Sequence, residues 1–312
     1  MRIEYHRTLI ADHARNDAFF RALKAVIEPG KTIVADIGAG TGLLGLMASK
    51  LGAKEVFLFE TAEVAGVATE VLMANKAKSC HLIPCHSTEF DDKLTVDVIV
   101  SETLGNYALE ENIIATMSDA RARFLKRKGH IIPQAIVQFV APVISPRIDD
   151  ELRVWSRVGN GIDLSAAQYL TMNNAYVRQL ATEELLDGGK SAVAWDSVDL
   201  TRDVRSKRKG EAEWRVSRST RIYGFAVWWE ATLQSGIVLS TAPSAPRTHW
   251  EQLYFPLSAP IDVKSRERIG VELRSRSSES AGTHLAWTAI HKNANGEVIA
   301  KQAHDLDKGY LP

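Results

Sequence analysis

Two patterns of apolar residues divide the chain. From about residue 18 to residue 124, short apolar runs alternate with segments in which apolar residues recur three and four positions apart. The runs TIVADIG, EVFLFE and VDVIVSE are apolar almost throughout, as in parallel strands that are buried on both faces. The intervening segments have the period of amphipathic helices. This alternation predicts an α/β fold with a doubly wound, Rossmann-like parallel sheet.

The pattern changes after the sequence LKRKGHIIP. Later segments, such as AIVQFVAPVIS, STRIYGFAVWWEATL and THLAWTAIHK, are rich in β-branched and aromatic residues, and Asn295-Gly296 is a hairpin turn signal. We expect an antiparallel β-sandwich or barrel, with a domain boundary near Pro133, so that residues 1–132 and 133–312 form two domains. The segment Ile162 to Leu186 looks partly helical and interrupts the strands.

Composition excludes several classes of protein. The 312 residues are 45% apolar and 24% charged, and 38 basic residues balance 38 acidic ones, so no overall field favours nucleic acid or an anionic membrane. The N-terminal sequence has no apolar signal core, and no apolar window reaches membrane-spanning length. Cys80 and Cys85 lack the number and spacing of a zinc site. We expect a soluble cytoplasmic protein with no metal.

A glycine-rich turn follows the first predicted strand. In VADIGAGTGLL, Gly38, Gly40 and Gly42 stand between a strand and a helix, where glycine permits a sharp turn and a close ligand approach to free N–H groups. A dinucleotide fingerprint would need its third glycine at Leu43, which disfavours NAD and FAD. The sequence G-x-G-x-G after Asp36 is similar to motif I of class I S-adenosylmethionine-dependent methyltransferases.

Acidic residues follow two of the predicted strands. Glu60 ends EVFLFE, where a carboxylate can accept both hydroxyls of a ribose. Glu102 follows VDVIVS, and Glu110 and Glu111 lie eight and nine positions further on. A guanidinium is protonated and delocalised, so it is a poor nucleophile. Two carboxylates can hold its planar fork, direct one nitrogen and draw positive charge away from it.

The acid loop SETLGNYALEE resembles the double-E loop of protein arginine N-methyltransferases, in which two glutamates nine positions apart clamp the substrate guanidinium. Other segments resemble that family in the same order: RTLIADHARNDAFFRAL resembles its N-terminal helix, ARARFLKRKGHIIP the entry to its β-barrel, and RTHWEQLYFPL its threonine-histidine-tryptophan loop. CHSTEF is similar to its adenine-side segment, especially that of the type producing only monomethylarginine.

This resemblance implies S-adenosylmethionine as the cofactor. Arg15 would contact the cofactor carboxylate, Glu60 its ribose, and Thr88 or Glu89 its adenine. The cofactor-binding candidates are therefore Arg15, Asp36, Gly38, Gly40, Gly42, Glu60, Thr88 and Glu89.

The resemblance also implies residues for catalysis and substrate binding. Glu102 and Glu111 would clamp the guanidinium, with Glu110 as the alternative second acid. His249 is grouped with these glutamates as a catalytic candidate, and it would also pair with Asp12 to fasten the N-terminal helix over the cofactor. Trp250 would line the arginine channel, with Tyr107 as a further substrate-side candidate.

The expected function is transfer of a methyl group to a guanidino nitrogen of a protein arginine. The alternatives are a small guanidino metabolite as acceptor and a non-catalytic, cofactor-binding partner subunit. The number of methyl groups added stays open. The segment from about residue 163 to residue 186 occupies the position of the family's dimerisation arm, so a homodimer is expected.

One basic stretch falls outside these motifs. The first nine residues of TRDVRSKRKGEAEWR include five basic ones, Arg202, Arg205, Lys207, Arg208 and Lys209. An acidic peptide or a nucleic acid could bind there, but such a run usually forms a solvated hairpin tip, which is the interpretation we prefer.

Overall fold

The first half of the chain forms a five-stranded parallel sheet in a computed structural model that describes residues 3–278 and 282–308. The spatial order is β3-β2-β1-β4-β5. Its strands are β1 (Ile33–Ile37), β2 (Glu55–Phe59), β3 (Cys80–Ile83), β4 (Val96–Ser101) and β5 (Leu125–Ile132). Val98, Ile99 and Val100 are fully buried because helices and the second half of the chain cover the sheet. The predicted Rossmann-like sheet is confirmed.

Helices accompany this sheet as the sequence period predicts. They are α1 (Ile3–Ala11), α2 (His13–Val26), α3 (Leu43–Lys50), α4 (Val64–Ala74) and α5 (Ile113–Phe124). Asp12 separates the first two helices, and its side chain accepts the Arg15 N–H at 2.9 Å as the N-cap of α2. Among the described residues, no helix is both long enough and apolar enough to cross a membrane.

The second half is antiparallel, as predicted. Its strands are β6 (Ala135–Val143), β7 (Tyr176–Arg178), β8 (Val193–Asp199), β9 (Lys207–Arg215), β10 (Thr220–Gln234), β11 (Ile237–Ser240), β12 (Gln252–Val263), β13 (Arg268–Ser278), β14 (Gly282–Lys292) and β15 (Val298–Asp305). One sheet has the order β7-β12-β10-β6-β8, with β11 paired to β10, and the other has the order β15-β14-β13-β9. In the described part of the chain these are two sheets rather than one closed ring of paired strands.

A short helical excursion interrupts the antiparallel half. It comprises α6 (Arg147–Leu152), α7 (Ala166–Met172) and three short 3₁₀ helices, Val154–Arg157, Thr182–Glu184 and Leu186–Gly189. Several apolar side chains of this segment face solvent, among them Ile162, Leu164 and Leu170.

The parallel sheet ends at Ile132 and the first antiparallel strand begins at Ala135.

The acid loop after β4 packs between the two halves. The indole N–H of Trp229 donates to Gly105 O at 3.0 Å, and that of Trp250 donates to Leu104 O at 2.8 Å. These bonds satisfy carbonyls that the loop would otherwise leave unpaired in the interior. The antiparallel half therefore holds the loop that carries the candidate glutamates.

Candidate active site

A cavity of about 270 Å³ opens at the carboxyl ends of the parallel strands, close to the lower limit of roughly 300 Å³ for small-molecule sites. Residues from β1, from β2 and from the loop after β4 reach it, as expected at the switch point of a doubly wound sheet. Its lining includes the sequence-predicted residues Arg15, Asp36, Gly38, Gly40, Glu60, Glu102 and Glu111. Seven of the candidates are thus brought together.

The glycine turn forms one wall of this cavity. Gly38 and Gly40 adopt positive φ angles of 71° and 57°, and a Cβ on Gly38 would lie only 2.7 Å from the Thr103 side chain. Gly42 differs from them, because it is the left-handed N-cap of α3 and faces Leu58 instead of the cavity. The prediction that Gly42 lines the ligand site is therefore corrected to a turn and packing role.

Two acidic side chains, Asp36 and Glu60, accept backbone N–H groups of the glycine turn and of the helix that follows it. Asp36 is 1% exposed, and its Oδ2 accepts the Gly45 N–H at 2.8 Å. Burial raises the pKa of Asp36 to about 7, and the charges of Glu60 and Glu102 add to the increase. Glu60 accepts the N–H groups of Gly40 and Ala62, each at 2.8 Å, which fixes its carboxylate at the cavity wall.

The N-terminal helices close the cavity on another side. The imidazole Nδ1 of His249 lies 2.8 Å from Asp12 Oδ2, and the His249 N–H donates to the same oxygen at 2.8 Å. Although burial alone raises the pKa of Asp12, the hydrogen bonds from His249 and Arg15 hold it below its usual value. His249 does not line the cavity. Its position therefore favours the fastening role over the catalytic one.

Arg15 extends from α2 to the acid loop. Its Nε donates to Glu102 Oε2 at 2.8 Å, one terminal nitrogen donates to the same oxygen, and both side chains are about 95% buried. Burial raises the pKa of Glu102, and the opposite charge of Arg15 limits that increase. The Arg15 guanidinium therefore already contacts Glu102, the first predicted clamp residue, in this structure.

The structure distinguishes the two candidates for the second acid. Glu111 lines the cavity, and desolvation together with the charges of Glu102, Glu110 and Glu60 raises its pKa to about 6. Glu110 folds back against its own loop, since a Cβ on Gly105 would lie 1.9 Å from its carboxylate. Glu111 is therefore the acid that faces Glu102.

The two substrate-side candidates do not reach the cavity. Tyr107 is 1% exposed, and its hydroxyl donates to Ser275 Oγ at 2.6 Å and accepts from Gln138 at 3.1 Å. Trp250 is also buried, with its ring edge-on to Trp229 at a centroid distance of 4.9 Å. Both predictions of substrate contact are corrected, because these side chains anchor the acid loop to the antiparallel half.

The adenine-side candidates are displaced as well. Thr88 and Glu89 lie in a 3₁₀ turn, Ser87–Glu89, that directs them to solvent. The same segment presents Cys85, His86 and Ser87 to the cavity instead. The segment CHSTEF therefore borders the cavity through Cys85, His86 and Ser87 and not through Thr88 or Glu89, because the turn reverses the side-chain direction after Ser87.

Sequence reasoning did not select His6. It is the buried residue of α1, 8% exposed, and its ring lies about 3.2 Å from where a Cβ on Gly40 would be. Burial lowers its pKa, and the Glu60 carboxylate opposes that shift. His6 and Leu9 are three positions apart and therefore share one face of α1, and both line the cavity, whereas Tyr5 faces solvent. This helical period is the sequence signal that could have indicated His6.

The Rossmann-like sheet, the glycine turn with an acid on the next strand, and the antiparallel second half define a methyltransferase architecture. Residues 134–289 match the family model described as the arginine methyltransferase oligomerization subdomain, and residues 12–157 match that of ribosomal protein L11 methyltransferase. Protein arginine N-methyltransferase 6 of Xenopus tropicalis is 30% identical, with 96% of this chain and 92% of the relative aligned.

Two further comparisons agree. The arginine N(omega)-methyltransferase of Streptomyces achromogenes subsp. streptozoticus is 29% identical over 86% of this chain and 75% of its own. The Trypanosoma brucei PRMT1 enzyme-prozyme heterotetrameric complex with AdoHcy superposes with a TM-score of 0.84 at 21% identity, covering 96% of this chain and 97% of that one, which shows a shared fold. The chain belongs to the protein arginine N-methyltransferase family.

Proposed function

We propose that this protein transfers a methyl group from S-adenosylmethionine to a guanidino nitrogen of a protein arginine. The observation that carries the proposal is that Glu102 and Glu111 face one cavity, which also contains the glycine turn and Glu60. The name of the Xenopus relative supports protein arginine as the acceptor.

The cavity residues fit that cofactor. Three buried polar atoms, His6 Nε2, Asp36 Oδ1 and Ser87 Oγ, have no hydrogen-bond partner among the described residues, and all three residues line this cavity. Buried polar groups are costly when unpaired, so a polar ligand is the expected partner. Glu60 would hold the ribose hydroxyls and Arg15 the carboxylate. When bound, S-adenosylmethionine supplies an electrophilic methyl group.

The clamp residues orient the acceptor. The Arg15 guanidinium shows that Glu102 receives two N–H donors on one oxygen. A substrate guanidinium between Glu102 and Glu111 would be held by charge-assisted hydrogen bonds, with one nitrogen directed along the reaction axis. That nitrogen loses a proton as it gains the methyl group. Glu111 lies at the mouth of the cavity, where part of its side chain is exposed, and its pKa of about 6 suits it to accept the proton and release it.

A second acceptor class has specific support. The Streptomyces relative is named for arginine rather than for protein arginine. Free arginine or another small guanidino compound is therefore the alternative substrate. The non-catalytic partner subunit is disfavoured, because both clamp acids and the glycine turn are in place.

We also propose a homodimer formed through the segment around α7. Ile162, Leu164 and Leu170 are exposed there, and an apolar surface of this kind is typical of an interface. The match to an oligomerization subdomain supports this assembly. The division near Pro133 and the cytoplasmic location remain proposals from the sequence.

Methyl-labelled S-adenosylmethionine tests the function. The purified protein is incubated with an Arg/Gly-rich peptide or with free arginine, and the products are identified by mass spectrometry. We expect label on peptide arginine, its loss in Glu102→Gln, and its retention in the matched control Glu110→Gln. Label on free arginine alone would select the second acceptor class. Tight cofactor binding without any label would contradict the proposal.

A further inference from the structure

The basic stretch of the sequence is not a hairpin tip. Arg202 pairs with Asp199 in the connection before β9, whereas residues 207–209 lie within β9 itself. Arg208 turns inward and donates to Asp196 at 2.7 Å. Lys207 and Lys209 point to the other, exposed face of the strand. The interpretation as a solvated tip is therefore wrong for β9.

The neighbouring strand adds two more cations to that face. In the register of β9 with β13, Lys207 lies opposite Arg276 and Lys209 lies opposite Arg274. Directly opposed side chains share one face of a sheet, about 5 Å apart. The basic array, defined as Lys207, Lys209, Arg274 and Arg276, is thus a two-by-two group of cations. It borders a shallow depression of about 390 Å³.

Three of these four cations make no direct ion pair within the described residues. Arg276 lies 3.6 Å from Asp307, which also contacts His284. Lys207, Lys209 and Arg274 have no ion-pair partner among residues 3–278 and 282–308. Like charges directly opposite each other destabilise a sheet. Two such pairs lie next to each other on this face, so an anionic ligand bound between them would relieve the repulsion.

The array is limited in extent. The next register on the same face is acidic, because Glu211 lies opposite Glu272. Asp305 and Asp307 bound the depression on another side. A nucleic-acid strand would have to pass these acids, and the described residues that line the depression include no Phe, Tyr or Trp for base stacking. A short acidic peptide fits the array better.

The array lies close to the acid loop. On the opposite face of the same sheet, Ser275 accepts the hydroxyl hydrogen bond of Tyr107, and Thr283 Oγ1 donates to Glu110 O at 3.2 Å. Ser275 lies between Arg274 and Arg276 in β13, and Thr283 precedes His284. The acid loop and the array therefore lie on opposite faces of the same stretch of β13, which places the array beside the loop that carries the clamp candidates.

We propose that the basic array binds an acidic segment of the protein substrate, outside the methylated arginine. This inference rests on the proposed function, and it narrows the substrate class to proteins that carry Asp/Glu-rich sequence near an exposed arginine. It gives the enzyme specificity that the clamp cannot provide, because any arginine presents the same guanidinium.

Two peptides with the same Arg/Gly-rich core test the proposal, one with an acidic tail and one with a Ser/Gly tail of equal length. At low ionic strength we expect the acidic tail to lower KM about tenfold with kcat unchanged, and salt to remove the advantage. The triple variant Lys207→Gln, Lys209→Gln, Arg274→Gln should lose the preference. The matched control Arg215→Gln, on the same face of β9, should keep it.

The proposal would be overturned if the wild type had equal KM values for the two peptides. It would also be overturned if the triple variant kept the lower KM for the peptide with the acidic tail. Fluorescence anisotropy with a labelled acidic peptide that lacks arginine separates this failure from failure of the proposed function. Binding lost in the triple variant and kept in Arg215→Gln supports the array even if no peptide is methylated. Stronger displacement by a single-stranded oligonucleotide of equal charge would overturn the assignment to a peptide.

Discussion

Arg15 and Glu102 form a buried ion pair that joins the N-terminal helices to the acid loop, with Arg15 Nε donating to Glu102 Oε2 at 2.8 Å. The predicted cofactor residue and the predicted substrate clamp therefore contact each other. A ligand carboxylate at Arg15 and a guanidinium at Glu102 would each meet a partner that is already oriented. A guanidinium bound at Glu102 would have to share this carboxylate with Arg15.

Replacement of Arg15 should lower the free energy of unfolding in a pH-dependent way. In Arg15→Met the buried Glu102 loses its opposite charge, so its pKa rises further and the native state binds a proton that the unfolded state releases. Stability at pH 8 should fall by about 3 kcal/mol, and the loss should shrink as pH falls toward about 4. Urea unfolding at several pH values measures this. The exposed Arg21→Met is the control; a pH-independent loss would contradict the argument.

Glu111 should destabilise the ligand-free protein above pH 6. Its pKa of about 6 exceeds the value of about 4.3 expected in the unfolded chain, so the native state binds more protons between these values. Stability therefore decreases as pH rises through this window. Glu111→Gln should be more stable than wild type at pH 8 and equal to it below pH 4. Glu70→Gln, on the exposed side of α4, should show neither effect.

Asp12 should control the order of the N-terminal helices. Asp12→Ala removes the N-cap of α2, worth about 1 kcal/mol, and both contacts with His249. Hydrogen exchange over residues 3–17 should accelerate, and affinity for S-adenosylhomocysteine should fall. Asp17→Ala, exposed on the same helix, should leave exchange unchanged. Unaltered protection in Asp12→Ala would show that another contact holds these helices.

His6 should contribute to cofactor affinity. Its Nε2 has no partner among the described residues, and the ring lies at the cavity wall beside Gly40. His6→Ala should weaken S-adenosylhomocysteine binding about tenfold, the value of roughly one hydrogen bond, in isothermal titration calorimetry. His6→Gln should restore part of the affinity. Tyr5→Ala is the matched control, since Tyr5 is 65% exposed, and an equal loss there would refute a specific role for His6.

Tyr107 should matter for stability more than for substrate binding. Tyr107→Phe leaves Ser275 and Gln138 without the hydroxyl between them, and the free energy of unfolding should fall by about 1–2 kcal/mol. KM for a peptide substrate should not change, because the side chain does not reach the cavity. A raised KM with unchanged stability would return Tyr107 to the substrate-binding residues.

The sequence by itself determined the two-part fold and the location of the site. Apolar runs such as VDVIV, which are short and rich in β-branched residues, favour a doubly buried strand, and the residues that follow parallel strands must meet at one edge of the sheet. Asp36, Gly38, Glu60 and Glu102 were therefore placed correctly at the cavity from local pattern alone. The separation of nine positions between Glu102 and Glu111 can likewise be read from the sequence without the structure.

Only the tertiary structure decided which side chains in the irregular segments face the cavity. Glu111 faces it whereas Glu110 does not, Ser87 replaces Thr88, and Trp250 points into the core. Loops have no period that fixes side-chain direction, and here contacts with residues more than a hundred positions away, such as Tyr107 with Ser275, select it. The basic array depends on the same kind of information, because the register of β9 with β13 joins two stretches of sequence that separately indicate only solvated charge.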